Sequence, residues 1–362
     1  MGKLIDSCIN ITDGEHNTVS KESGTGYFLL ANENIVNGGV EFSSIDREIG
    51  KEDFDRIYRR CKIEVGDVLI STVGELGKLA IVEDYKSNYV FQRSVGLIKP
   101  SKLKLNSYYL YYLLSTSYAQ KKLKYSSYGS MQKGLTLDTL KNFDLDLPSL
   151  EEQLKISKPL RLIDEQIKRN NVLVQKLQVL SHNIFLYYFN NSEKKNEKLK
   201  NIANMYQPET IVGSEFVDDG KYYVYGSGGI IGKYNKYNHE ESELMVSCRG
   251  KCGNVTLSMP CSWIIGNQMV IKPYDAQLKY YLYNYLQIID LSKVETGSVQ
   301  KQITRTNLEN IIVPLADDDN LLKLAKVSIP IHQQLIKLRK ANEKLEELKK
   351  KLLPLLINQH LN

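Results

Sequence analysis

A displacement of 168 residues carries one part of this chain onto another, and that duplication limits the folds open to it more than any single motif does. LKISKPLRLIDEQI from Leu154 answers to LKLAKVSIPIHQQL from Leu322. Ile163 falls on Ile331, Gln166 on Gln334, Ile167 on Leu335, Leu177 on Leu345, Leu180 on Leu348 and Ile184 on Leu352. The same displacement lays YGSMQKGLTLDTLKNF (from Tyr128) on TGSVQKQITRTNLENI (from Thr296), so that Gly129, Ser130 and Gln132 meet Gly297, Ser298 and Gln300. Further upstream the displacement is 176, and Ser71, Gly74 and Gly77 of ISTVGELGK meet Ser247, Gly250 and Gly253 of VSCRGKCGN. The chain is two copies of one unit, each a mixed domain followed by a long helix.

Residues 151–189 read as that helix in its first copy. Ile163, Ile167, Asn170, Val174, Leu177, Ser181 and Ile184 recur at alternating spacings of four and three, the seam by which two helices wind round each other. A seam needs a partner, and the second copy offers Ile331, Leu335, Leu345 and Leu352. The expected layout is a first globular domain over 1–150, a long helix over 151–190, a second globular domain over 191–320 and a second long helix over 321–362. Two domains also suit a chain of 362 residues that is 42% hydrophobic.

No N-terminal apolar signal region and no run of roughly 18 apolar residues is present, so a cytosolic chain is expected. The five cysteines are odd in number and unevenly placed, as reduced thiols are. Cys248, Cys252 and Cys261 cluster, but with no histidine at ligand spacing they make a poor metal set, and small buried thiols are the expected reading. The net charge of +6 gathers on the helices: Lys and Arg number 19 against 19 acids in 1–150, 10 against 6 in 151–200, 10 against 14 in 201–320 and 9 against 3 in 321–362. Net charge alone makes neither globular unit a nucleic-acid binder, and any such contact must come from local patches.

Along the chain, a helix is expected over 107–123, a polar loop over 126–133 and then a strand ending at Pro148. The polar run 190–196 reads as an interdomain linker. Asp317, Asp318 and Asp319 read as an acidic loop before a final helix from about Pro330 to Leu355, with Pro159 and Pro330 each in a first helical turn.

Absent motifs exclude most catalysis. All nine prolines are isolated, so no Pro-Pro methyltransferase loop exists, and none of the Gly-Lys pairs has the earlier glycine and following Ser or Thr of a phosphate-binding loop. The five histidines lie far apart and assemble no catalytic set. What remains suits binding. In the glycine loops Gln132, Gln300 and Arg249 are candidate base readers, and Lys78, Lys133, Lys251 and Lys301 candidate phosphate contacts. The residues alone equally permit glycines that only allow tight turns and polar side chains that only face water.

An ITDG-H start, a V-G-D-V-L-I-S strand, a G-S-x-Q loop, a closing strand and a long helix, all repeated, resemble the DNA-specificity subunit of type I restriction-modification enzymes. YVYGSGGIIGKYNKY, CRGKCGNV, NQMVIKP and TGSVQKQI make the second half especially similar. The resemblance covers essentially the whole chain. It implies two target recognition domains, each reading half of a split DNA target, with two helices packed antiparallel as a spacer. It further implies contacts to double-stranded DNA through Thr12, Asp13, Gly14 and His16, through Ser130 and Ser298, and through Gly226, Ser227, Gly228, Lys233 and Tyr234. Two modification subunits carrying S-adenosylmethionine would dock on the chain, ATP-using restriction subunits would join them, and the chain itself would hold no cofactor and perform no catalysis. Two departures stand out: the N-terminus is short, and Asn170 and Asn342 fall on Leu338 and Val174 in the repeat. The polar residues either fix helix register or mark a partner's contact. A different class of reading, an assembly scaffold whose globular units bind protein or glycan, is separated from this one by whether an adenine methyltransferase gene lies alongside.

Overall fold

A computed structural model describes residues 2–128, 134–297 and 300–357 of the chain. It contains two compact units, one formed by Met1–Lys168 with Glu343–Asn362 and the other by Arg169–Asn342.

The central sheet of the first unit is built from a strand without a polar outer face. Val68–Ser71 is buried along its whole length, lies between Val95–Pro100 and Leu79–Ile81, and Cys8–Asp13 closes the other edge. Successive side chains of a strand point to opposite faces, so one such strand feeds two cores. Val68 and Ile70 pack with Tyr109, Leu110 and Leu113 of the helix Ser107–Ser115. Leu69 packs on the other side with Leu30, Tyr89 and Phe91. There a small second sheet runs in the order Arg47–Glu48, Phe28–Leu30, Tyr89–Phe91, the last two parallel.

The second unit repeats this plan strand for strand. Leu244–Ser247 takes the central place, flanked by Gln268–Pro273 and Val255–Leu257, with Ala203–Tyr206 at the far edge. Leu244 and Val246 face the helix Leu278–Ile288, while Met245 faces Tyr225, Ile264 and Val270. Its second sheet runs Gly229–Tyr234, Tyr222–Gly226, Trp263–Ile264, again with the last pair parallel.

Several local expectations change. The helix expected over 107–123 breaks at Thr116, an extended residue whose hydroxyl accepts from the Ala119 amide and starts the next helix, Ser117–Tyr128. In place of a strand running to Pro148 there is a short helix, Leu137–Lys141, capped by Thr136, and then a two-residue strand. The polar run taken for a linker supplies the strand Lys194–Lys198, whose backbone pairs with Ile312–Ala316. Polar side chains did not prevent pairing, since both faces of this edge strand meet water.

The long helices span Leu150–Asn190 and Asp318–Ile357. The first starts one residue before the expected 151 and the second well before Pro330, because a cap lies upstream of each. Ser149 and Glu152 form a reciprocal capping box, and Asp317 accepts from the Asn320 amide. The acidic run is therefore a helix start, where carboxylates meet free amides, and both prolines sit inside the helices.

Within each unit the helices run antiparallel. In the first unit Asp164 accepts hydrogen bonds from Tyr112 (2.7 Å) and from Lys349 (2.6 Å), and Ile156, Leu160 and Ile357 enter the core. In the second unit Asn170 donates to Asn342 (2.7 Å), Ser181 and His332 lie 3.2 Å apart, and Phe185 and Leu324 enter the core. Ile163 and Leu335 are buried along the seam, and Ile167, Val174, Leu177, Ile184, Ile331, Leu345 and Leu352 are partly buried. Among the described residues no helix is long and apolar enough to cross a membrane.

His332 gives the second unit a pH dependence. It is 5% exposed, stacked on Tyr280 at 4.0 Å between ring centroids, and burial, assisted by Arg339 and Lys279, pushes its pKa down to about 4. A histidine whose folded pKa lies below its unfolded value of about 6.5 contributes its full stability above that value and loses it as pH falls toward 4. The shift corresponds to roughly 3 kcal/mol. Denaturant titrations between pH 7 and pH 4 should show the wild type losing about that much more stability than His332→Gln.

Candidate nucleic-acid interface

Strand register brings the sequence-marked loops of the second unit to one end of its central sheet. Ser247 pairs with Gln268 and Tyr206 with Val270, so the chain leaves or enters the sheet here at 207, 248 and 267. The Gly226 turn arrives at the same place: Gln268 Nε2 donates to the Gly226 carbonyl at 2.6 Å. A Cβ on Gly250, whose φ is +78°, would lie 2.9 Å from the Ser227 hydroxyl, so the two glycine loops touch. The third loop joins through a backbone bridge between Arg249 and Gln302, with the Ile303 amide donating to the Cys248 carbonyl.

The Cys248–Gly253 loop is fixed by its own main chain. The Ser247 hydroxyl accepts from the Asn254 amide at 2.8 Å and donates to the Lys251 carbonyl. Arg249, Lys251 and Gln300 are exposed from this frame. Lys301 is held by Glu295 at 3.1 Å, and the Cys252 thiol donates to the Lys301 carbonyl. Gln207, which the sequence pattern did not mark, donates to the Gly266 carbonyl at the same sheet end.

Lys233 and Tyr234 are not brought here. Tyr234 pairs with Tyr222 at the opposite end of the hairpin from Gly226 and packs edge-on against Trp263, while Lys233 lies over the Tyr223 ring. Ser298 falls outside the described residues, as do Ser130, Gln132 and Lys133 of the first copy.

The equivalent sheet end of the first unit holds a different chemistry. Asp13 pairs with Gly96 and Ser71 with Val95, which sets Thr12 and Asp13 beside the Gln92–Ser94 turn. Gly14 is there for space, since a Cβ would lie 2.1 Å from the Phe91 carbonyl oxygen. His16 is exposed and 2.8 Å from Asp13. Lys78 pairs with Glu75 at 2.9 Å.

Two arginines that the sequence pattern did not single out stand at this sheet end. Arg56 donates to buried Glu15 at 3.0 Å, and Arg60 donates to the Gly14 carbonyl. Burial would raise the Glu15 carboxyl, but the Asn17 amide and the Arg56 and Arg60 guanidiniums outweigh it and hold the pKa below the usual range. Both arginines belong to the amphipathic helix Lys51–Arg60, whose basic last turn was the available signal. Among the described residues no three His, Cys, Asp or Glu side chains are placed to hold a metal ion.

The two copies of the fold present different sets of basic and polar side chains at the same sheet end, the arrangement of a two-site recognition protein. Residues 18–180 and 191–349 each match the type I restriction modification DNA specificity domain, and the chain belongs to that family. It is 25% identical to the putative type I restriction enzyme MjaX specificity subunit of Methanocaldococcus jannaschii, across 92% of this chain and 86% of that one. Identity to the EcoBI specificity subunit of Escherichia coli is 37%, over 34% of this chain and 25% of that one. The fold resembles the crystal structure of the type I restriction-modification S subunit from M. genitalium, with a TM-score of 0.61, 18% identity and coverage of 97% and 94%.

Proposed function

We propose that the chain reads a split DNA target, the second unit contacting one half-site through Arg249, Lys251, Gln300 and the Gly226–Gly228 turn, and the first unit the other. It is the specificity subunit of a type I restriction-modification system and carries no catalytic step. The observation that carries the two-site reading is the identical strand order of the two sheets with different side chains at the same sheet end. In the first unit Arg56, Arg60 and Arg93 supply the positive charge. Phosphate contacts would position each unit and base-edge contacts would specify its half-site.

The partners follow from the same duplication. Apolar side chains stand exposed on the long helices at repeat-equivalent positions: Leu154 with Leu322, Leu180 with Leu348, Tyr187 with Leu355. Repeated exposed apolar positions fit two copies of one partner. Those partners are the modification subunits, which supply S-adenosylmethionine and methylate adenine, with ATP-dependent restriction subunits joining them in the cytosol.

Expression with its modification subunit in a methylation-free host, followed by mapping of modified adenines, tests this. The expected motif is two unlike half-sites around an unspecified gap. One uninterrupted palindrome, or no modification at all, would remove the reading.

A further inference from the structure

The geometry points to a pairing code in the helix seam, made of three polar contacts, that commits each long helix to the other one of the same chain and rejects a second copy of itself. The apolar members of the seam cannot make that choice. Ile163 and Ile331 are the same residue at the same repeat position, as are Leu177 and Leu345. At these positions a helix fits its own copy as well as it fits the other helix, and at Ile167/Leu335 and Ile184/Leu352 the exchange is between isomers of equal volume.

The polar contacts break the tie. Tyr112, Asp164 and Lys349 of the first unit occupy the repeat positions of Tyr280, His332 and Ser181 in the second, each shifted by 168. Both sets tie helix to helix to domain, but one is an ion pair and the other is neutral. Asp164 takes Lys349 and the Tyr112 hydroxyl, whereas His332 meets Ser181 and stacks on Tyr280. Near the middle, Asn170 is 4% exposed and donates to Asn342, which donates in turn to Asn171 at 2.8 Å.

Transferring the antiparallel register to two copies of the first helix sets Asp164 against Ser181 and Asn170 against Val174. Two copies of the second helix set His332 against Lys349 and Asn342 against Leu338. Every polar residue is then without its match: a buried amide faces a hydrocarbon, and a buried neutral histidine faces an ammonium. A polar residue at a seam position specifying partner and register at a cost in stability is the best-attested use of such groups. The inference does not depend on DNA reading.

The test rewrites the code toward self-pairing. In the full-length Val174→Asn/Ser181→Lys variant, two copies of the first helix acquire two Asn–Asn pairs and two Asp164–Lys pairs, while the intrachain match to Leu338 and His332 is removed. Light scattering after gel filtration should find the wild type at its chain mass of 41.4 kDa and the variant at twice that mass. Differently tagged copies of the variant should co-purify, and those of the wild type should not. Adding Leu338→Asn and His332→Asp restores an intrachain partner for both new side chains; intrachain and interchain pairs are then equally matched in polar contacts, the high effective concentration of the tethered helix decides, and the protein should return to a monomer. A folded double variant that stays monomeric overturns the inference. If the double variant fails to fold, failure of the quadruple variant to recover a folded monomer overturns it equally.

Discussion

Lengthening both long helices by four residues, after Gln178 in one and after Gln334 in the other, should leave both half-site sequences unchanged and widen the unspecified gap by roughly one to two base pairs. Four residues add about one helical turn, close to 6 Å at about 1.5 Å per residue, and stacked base pairs rise about 3.4 Å each. The two points lie beside each other in the antiparallel pair, near Leu177 and Leu335, so the insertion keeps the helices matched where an insertion in one alone would not. Four residues overshoot a full turn by about 40°, which a stutter in the supercoil absorbs. Mapping of methylated adenines is the measurement, and a complete loss of modification at the original sites accompanied by new sites of longer gap is the expected pattern. An assembled variant that still modifies the original sites would show that the helices do not set the gap. Altered half-site bases would show that recognition is not confined to the globular units.

The plan of two mixed domains and two long helices behind that expectation was legible in the sequence because it rests on repetition. Periodicity placed Ile163, Asn170, Ser181 and Leu335 on the seam, and all four are buried. The strand pattern of 68–71 and 244–247 was legible for the same reason, as short apolar runs bounded by turn residues. The start of the second long helix was read less well, because Pro330 drew attention from the cap at Asp317, and neither Pro159 nor Pro330 lies in a first turn, since a proline within a long, tertiary-supported helix is tolerated. The strand Lys194–Lys198 was invisible to pattern, since an edge strand with five polar residues has the composition of a linker. At the interface the sequence identified loops but not their grouping. Arg249 and the Gly226 turn meet only because two strands far apart in sequence end side by side, and Arg56 and Arg60 join the ITDGEH turn only through tertiary contact with Glu15 and Gly14. Tyr234, an aromatic beside the same glycine loop, is carried by the hairpin register to the opposite end from Gly226 and packs on Trp263.

Replacing Arg249 with alanine should weaken binding to DNA carrying the intact target by roughly 5- to 150-fold, the range set by removing about 1–3 kcal/mol of base recognition. Modification should relax at one position of one half-site, with the other half-site unaffected. The loop supports so specific an effect because its backbone is held independently of the arginine: by Ser247, by the Gln302 bridge and by the close approach of Gly250 to Ser227. Among the described residues no hydrogen bond or ion pair engages the guanidinium, so folding stability should change little on truncation. Arg249→Lys then separates the two ways an arginine can meet DNA. Lysine keeps the charge but not the planar fork, so it should restore a grip on phosphate and fail to restore a bidentate grip on a base. If Arg249 reads a base, the lysine variant retains the salt dependence of the wild type and the relaxed specificity of the alanine variant. If it grips a phosphate, Arg249→Ala weakens binding evenly across target sequences, lowers the salt slope by about one, and lysine restores both. Full affinity and an unchanged modification pattern in the alanine variant would take Arg249 off the interface, and with it the sheet end that Gly226 and Gln302 share.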